Sequence, residues 1–140
     1  MPVKVMDSTL DSVLESVDTV EDAALEAGRE LGFGEDDLAR IGIAVREAVV
    51  NAVVHGNGSN PRKKVRVAIS SGGGSLAIEV RDEGNGFDPC AVPDPLAEPQ
   101  LLRGSGRGVL LMRASMDEVT FGCANGGGTL VRLVKHLPRK

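Results

Sequence analysis

Glu47 and Asn51 stand four residues apart in a run, from Glu47 to Asn57, that is otherwise mostly valine and alanine. Residues four apart on a helix share a face, so this spacing points the carboxylate and the carboxamide the same way, with His55 one further step along. Buried without partners, such groups cost about 1–3 kcal/mol each. A divalent cation carrying a polyphosphate would satisfy both. A hard cation takes oxygen ligands such as the Asn carbonyl, and a carboxylate serves as a general base. The helix alone is equally an amphipathic element whose polar edge happens to hold Glu and Asn.

Three glycine-rich segments follow downstream. Asp82-Glu83-Gly84-Asn85-Gly86 comes at the end of an alternating stretch. Glycine there lets the backbone approach a flat ligand, and a strand-end carboxylate can accept from an exocyclic amine. Asp, Gly and Asn are also ordinary turn residues, and a tight turn explains this segment alone as well. Its acidic positions do not recur as in an EF-hand loop. Gly104-Ser105-Gly106-Arg107-Gly108 precedes a helical run, where backbone N–H groups can face an anion. It lacks the Gly-Lys-Ser/Thr of a P-loop and the strand–helix–strand context of a dinucleotide fingerprint; a hinge before a helix fits it about as well. Gly126-Gly127-Gly128-Thr129 by itself is best explained as a glycine hairpin turn.

In order and spacing, the Asn-bearing helix and these segments resemble the nucleotide-binding (Bergerat-type) fold shared by gyrase, Hsp90, histidine kinases and MutL, the GHKL superfamily. Within it the chain resembles the stand-alone serine-protein kinases that act as anti-sigma factors, over nearly its whole length. The resemblance implies ATP and Mg²⁺ as cofactors. It casts Glu47 as the base that activates a hydroxyl, Asn51 as the metal ligand, and Asp82 as the reader of the adenine amino group, with Gly84 and Gly86 beside it. Thr129 would support Asp82 through its hydroxyl, directly or through water. The amides of Gly104, Ser105, Gly106, Arg107 and Gly108 would hold the triphosphate beneath a lid. Arg103 and Arg107 are alternative partners for the γ-phosphate, either able to stabilise charge on a transferring phosphoryl group. The implied partners are a STAS-domain anti-sigma antagonist, a sigma factor and a second copy of the chain.

The elements that must position these residues are legible in the pattern. Val3 to Met6 alternates and predicts a short strand. Val13, Val17, Val20, Ala24, Ala27 and Leu31 alternate spacings of four and three, predicting an amphipathic helix capped by Asp11 or Ser12 and closed by Gly32. A second helix, capped by Asp36 or Asp37, runs to about Val54 and stops at Gly56. Gly42 inside it costs helix propensity, of order 1 kcal/mol, and permits close packing. Two hairpins are expected, Val65–Ile69 with Leu76–Arg81 and Val119–Cys123 with Thr129–Val134, and a short helix over Gly108–Ala114. The glycine run between Ser70 and Ser75 reads as structural only. Prolines 89, 93, 95 and 99 forbid a regular helix between Phe87 and Leu102, and a loop that long is usually functional or disordered. The sum is an α+β two-layer sandwich, a mixed but mostly antiparallel sheet covered on one face by helices, in one domain over residues 1–140.

Composition excludes several alternatives. A net charge of −4 argues against general nucleic-acid binding, and three Phe without Trp or Tyr leave few platforms for stacking bases. No apolar run is long enough to span a membrane, and the N-terminus lacks a signal-peptide core, so a cytoplasmic protein is expected. Cys90 and Cys123 form no metal-ligand pair and are expected as free thiols. His55 can be catalytic or a metal ligand, but a cap at the helix end suits it better; His136 has no motif around it. Two functions compete: a serine/threonine kinase of the anti-sigma type, and a non-catalytic ATP-gated module that sequesters a sigma factor or other regulator. A sensor histidine kinase is disfavoured for want of a phosphoacceptor hairpin, and a chaperone or topoisomerase for want of transducer domains.

Overall fold

The computed structural model describes residues 3–56, 62–83, 106–123 and 128–138. In chain order the elements are β1 (Val3–Asp11), α1 (Glu15–Leu31), α2 (Glu35–Val50), a π-helical turn (Asn51–Gly56), β2 (Lys64–Gly72), β3 (Ser75–Arg81), α3 (Gly106–Ser115), β4 (Glu118–Cys123) and β5 (Thr129–His136). The strands form one sheet in the order β1-β2-β3-β5-β4. Every pairing among them is antiparallel, so the mostly antiparallel sheet expected from the sequence is wholly so among the described strands.

Period-two alternation decides which face is buried. Val65, Val67 and Ile69 of β2, Leu76, Ile78 and Val80 of β3, and Val131 and Leu133 of β5 point into the core. Val17, Val20, Ala24 and Ala27 of α1 and Ile41, Val45, Ala48 and Val49 of α2 meet them. Burial of this kind, worth roughly 25 cal/mol per Å² of apolar surface, is what fastens the helical layer to the sheet. The third helix, α3, packs against α2. At Gly42 an added Cβ would lie 3.1 Å from Glu21 Oε2, so the expected close approach is that of α1.

Local boundaries depart from the sequence pattern at β1 and at the starts of α1 and α2. The strand expected over Val3–Met6 continues to Asp11, because Met6, Ser8 and Leu10 keep the half-buried alternation and pair along β2. Neither Asp11 nor Ser12 caps α1, which has no side-chain cap. Asp11 stays in the strand, while the Ser12 hydroxyl donates to the Lys63 carbonyl at 2.7 Å and the Ser16 hydroxyl to the Asp11 carbonyl at 2.7 Å. The second helix is capped by Gly34, not by Asp36 or Asp37; those two and Glu35 occupy its first turn, where carboxylates suit the helix dipole. Gly32, with φ of 104°, closes α1 as expected.

The other face of the sheet carries charge. Arg66 and Arg81 lie directly opposite each other on β2 and β3, a placement that costs energy for like charges. Asp7 offsets it: Arg66 donates to both of its carboxylate oxygens at 3.3 Å, and Lys4 to one of them at 3.1 Å. The hydrogen bond from Arg66, helped by that from Lys4, holds the Asp7 carboxyl below the usual carboxylate range. Lys64 pairs with Asp11, and Arg132 with Glu79 at 3.5 Å. No helix among the described residues is long and apolar enough to cross a membrane.

Candidate functional site

Asp82 follows the last residue of β3, and Thr129 opens β5 beside it. The Asp82 amide donates to the Thr129 carbonyl at 3.0 Å, and the Thr129 amide donates to Asp82 Oδ1 at 3.0 Å. Both residues are buried, 4 % and 7 % exposed. An ionised carboxylate offers about four acceptor sites, and the Thr129 amide occupies one of them and helps fix the group's orientation. Gly128 makes this closure possible. It holds φ of 92°, and an added Cβ would lie 2.2 Å from the Asp82 carbonyl oxygen and 2.9 Å from the Glu83 carbonyl carbon, so only glycine fits there. Thr129 thus meets Asp82 through its own amide and carbonyl, not through the hydroxyl that the resemblance implied. The glycine run of the β2–β3 hairpin lies at the other end of β3, as expected; Gly73 and Gly74 take positive φ of 61° and 78° in its turn.

Glu47 and Asn51 lie where α2 ends. The Asn51 amide donates to the Glu47 and Ala48 carbonyls, so the four-residue step between the two side chains is a true helical turn. Glu47 is half-buried; Asn51 is 1 % exposed. From Asn51 the chain widens into a π turn that runs to Gly56. The helix thus stops where the sequence says, but its last six residues are not α-helical. Such turns are rare and often sit at functional sites. Here Ala52 and Val53, both in the core, anchor it.

Gly106, Arg107 and Gly108 open α3, two residues earlier than the pattern suggests. This helix packs against α2, so the second glycine segment leads into the helix that neighbours the one bearing Glu47 and Asn51. Gly84, Gly86, Arg103, Gly104 and Ser105 lie outside the described residues, as do Cys90, the proline-rich stretch and the side chains of His55, Arg107 and Cys123. Among the described residues, no three His, Cys, Asp or Glu side chains converge on a possible metal position.

Two features were not drawn from the sequence. The need for glycine at 128 depends on a contact between segments 46 positions apart, and the Gly-Thr pair was its only local trace. Lys135 is buried, although it is charged. Its signal was the alternation Thr129, Val131, Leu133, Lys135, which places it on the core side of β5.

Comparison with known proteins agrees with this arrangement. The family described as "Histidine kinase-like ATPase domain" matches residues 10–135. The anti-sigma F factor of Bacillus velezensis (strain DSM 23117 / BGSC 10A6 / LMG 26770 / FZB42) is 37 % identical over 107 residues, covering 74 % of this chain and 73 % of that one. The anti-sigma F factor of Bacillus subtilis (strain 168) is 36 % identical with the same coverage. Among solved structures, that of the RsbU and RsbW domains of a Mycobacterium tuberculosis protein superposes with a TM-score of 0.69 at 25 % identity. It covers 100 % of this chain, which spans 33 % of that longer one. The chain belongs to the histidine kinase-like ATPase domain family and, within it, to the anti-sigma factors of the GHKL type.

Proposed function

We propose that the chain is an ATP-dependent serine/threonine-protein kinase of the anti-sigma type, one ATP-binding unit over residues 1–140. It would phosphorylate a STAS-domain antagonist in a cytoplasmic partner-switching system and bind a sigma factor, acting as a homodimer. The observation that carries the nucleotide part is the closure of Gly128 and Thr129 on Asp82, which orients a buried carboxylate at the end of β3. The sigma-factor part is supported by the names of the relatives, which are anti-sigma F factors.

In this reading Asp82 accepts a hydrogen bond from the adenine amino group, beside Gly84 and Gly86. The backbone amides from Gly104 to Gly108 face the phosphates, and Arg103 or Arg107 meets the γ-phosphate. Glu47, half-buried one turn before Asn51, takes the proton of the attacking hydroxyl. Charge on the transferred group is then stabilised by the arginine and the helix-entry amides.

The donor chemistry fits Mg²⁺. Asn51 offers a hard carbonyl oxygen from a buried position, and the absence of a carboxylate cage among the described residues suits an ion that keeps waters and binds substrate phosphates. When bound, Mg²⁺ would neutralise phosphate charge; Asn51 would hold it.

The test is incubation of the protein with Mg-ATP labelled at the γ-phosphate and purified STAS-domain candidates. Label on a serine or threonine of one candidate is expected. Tight ATP binding with no label on any candidate would instead support the ATP-gated binding module.

A further inference from the structure

Lysine is almost never buried unless it is paired. Lys135 is 8 % exposed and lies on the core side of β5. Its Nζ donates to the Ser115 carbonyl at 2.8 Å and stands 3.7 Å from Asp37 Oδ1. Ser115 is the last residue of α3, and Asp37 is in the first turn of α2. One ammonium group therefore ties the end of one helix to the beginning of the other, across the strand that Thr129 opens. It also answers the unsatisfied carbonyl and partial negative charge of a helix C-terminus.

The two helices are in contact, and Lys135 bridges these two ends. The opposite end of α2 bears Glu47 and Asn51; the opposite end of α3 is its entry at Gly106. With ten residues, α3 is about 15 Å long, so a pivot at Ser115 displaces its entry most. The Asp82–Thr129 closure joins β3 to β5 and involves neither helix.

We propose that Lys135 is a positioning residue for the phosphate half of the nucleotide site: by pinning Ser115 of α3 to Asp37 of α2, it sets where the α3 entry stands relative to Glu47 and Asn51. This rests on the nucleotide reading above and extends it by separating control of the phosphate end from control of the adenine end. Lys135 touches no substrate; it acts through α3.

Lys135→Met keeps most of the length of the side chain and removes the charge; Asp37 is 20 % exposed and still accepts from Arg40 at 3.2 Å, so the change leaves no uncompensated buried charge behind. Affinities for Mg-ATP and for adenosine are measured by calorimetry on the full chain, with amide hydrogen exchange across α3. The expected result is Mg-ATP binding weaker by about 3- to 30-fold, the usual range for a residue that acts at a distance. Adenosine binding should be unchanged, exchange at the start of α3 faster, and Lys135→Arg should restore much of the loss. Unchanged Mg-ATP affinity in a folded Lys135→Met overturns the proposal, and so does an equal loss for Mg-ATP and adenosine. If Lys135→Met does not fold, Asp37→Asn takes its place: a smaller loss confined to Mg-ATP supports the pin, and no loss overturns it. A wild type that binds neither ligand sinks the nucleotide reading, while faster α3 exchange in the variant would still uphold the pin.

Discussion

Asp82 and Thr129 hold each other twice, each through its own amide at 3.0 Å, once to a carbonyl and once to a carboxylate oxygen. The pair locks the end of β3 to the start of β5 and presents a buried carboxylate in one orientation. Asp82→Asn retains an oxygen for the Thr129 amide, so the fold should survive. The charge that would accept from adenine is lost, and ATP should bind roughly 10- to 100-fold more weakly, the scale of a hydrogen bond to an ionised group. Guanine presents a carbonyl at that position, so wild type should prefer ATP to GTP and the variant should not. Equal binding of ATP and GTP by both proteins would reduce Asp82 to a turn residue.

Gly128→Ala tests the same closure from the other side. The methyl group would sit 2.2 Å from the Asp82 carbonyl oxygen, and the backbone already holds φ of 92°. Strain at such a residue is of order 1–3 kcal/mol before any clash. A lower melting temperature and loss of adenosine binding are expected together. Calorimetry and thermal melts that match wild type would show that the strand ends are free to separate.

Glu47→Gln keeps size and hydrogen-bonding shape but removes basicity. If Glu47 takes the proton of the attacking hydroxyl, phosphoryl transfer to a STAS-domain serine or threonine should fall roughly 10²–10⁴-fold, with ATP affinity little changed. Unaltered transfer in a single-turnover assay would remove Glu47 from the chemistry.

Asn51→Ala should abolish the Mg²⁺-dependent part of ATP binding. Because Asn51 is 1 % exposed, the smaller side chain should also lower the melting temperature while leaving the protein folded. Titration with ATP in the presence and absence of Mg²⁺ separates the two effects; wild-type Mg²⁺ dependence in a folded variant would free Asn51 from metal binding.

The charged face of the sheet makes a pH prediction. Arg66 first, and Lys4 second, hold the Asp7 carboxyl below its ordinary value of 3.8. A carboxyl depressed in the folded state contributes stability above its unfolded pKa and loses it as pH falls through the folded one. Arg66→Ala should therefore melt below wild type at neutral pH, and the gap should shrink once pH drops under about 3.8. Melting curves from pH 2 to 7 would show it; a constant gap would mean that Arg66 acts by packing alone.

Much of the fold could be read from the sequence because it rests on periodicity. The alternation in β2, β3 and β5 and the three-and-four spacing of α1 follow from which face each element buries. Glu47 and Asn51 were legible for the same reason: helical spacing fixes neighbours four apart. Tertiary contacts were not legible. The extension of β1 to Asp11 depends on pairing with β2. The turn of Ser12 toward Lys63 removed a cap that local chemistry favours. The change from α to π at Asn51 follows from no residue preference that we can name. From the sequence, Thr129 is expected to join Asp82 through its hydroxyl, whereas the bonds seen use its amide and carbonyl, because local sequence carries no record of which backbone groups remain to be satisfied.

The sheet has one side that packs and one that faces outward, and that division has a consequence for how such a protein can diverge. Lys4, Asp7, Arg66, Glu79 and Arg132 can be exchanged without altering a core contact, since each points away from the helices. Asp82, Thr129 and Asn51 are buried and Glu47 is half-buried, so a change at any of them is felt by the packed layer. Strand periodicity thus gives one backbone two faces under different constraints: one fixed by packing against the helices, and one whose charges answer only to each other and to solvent.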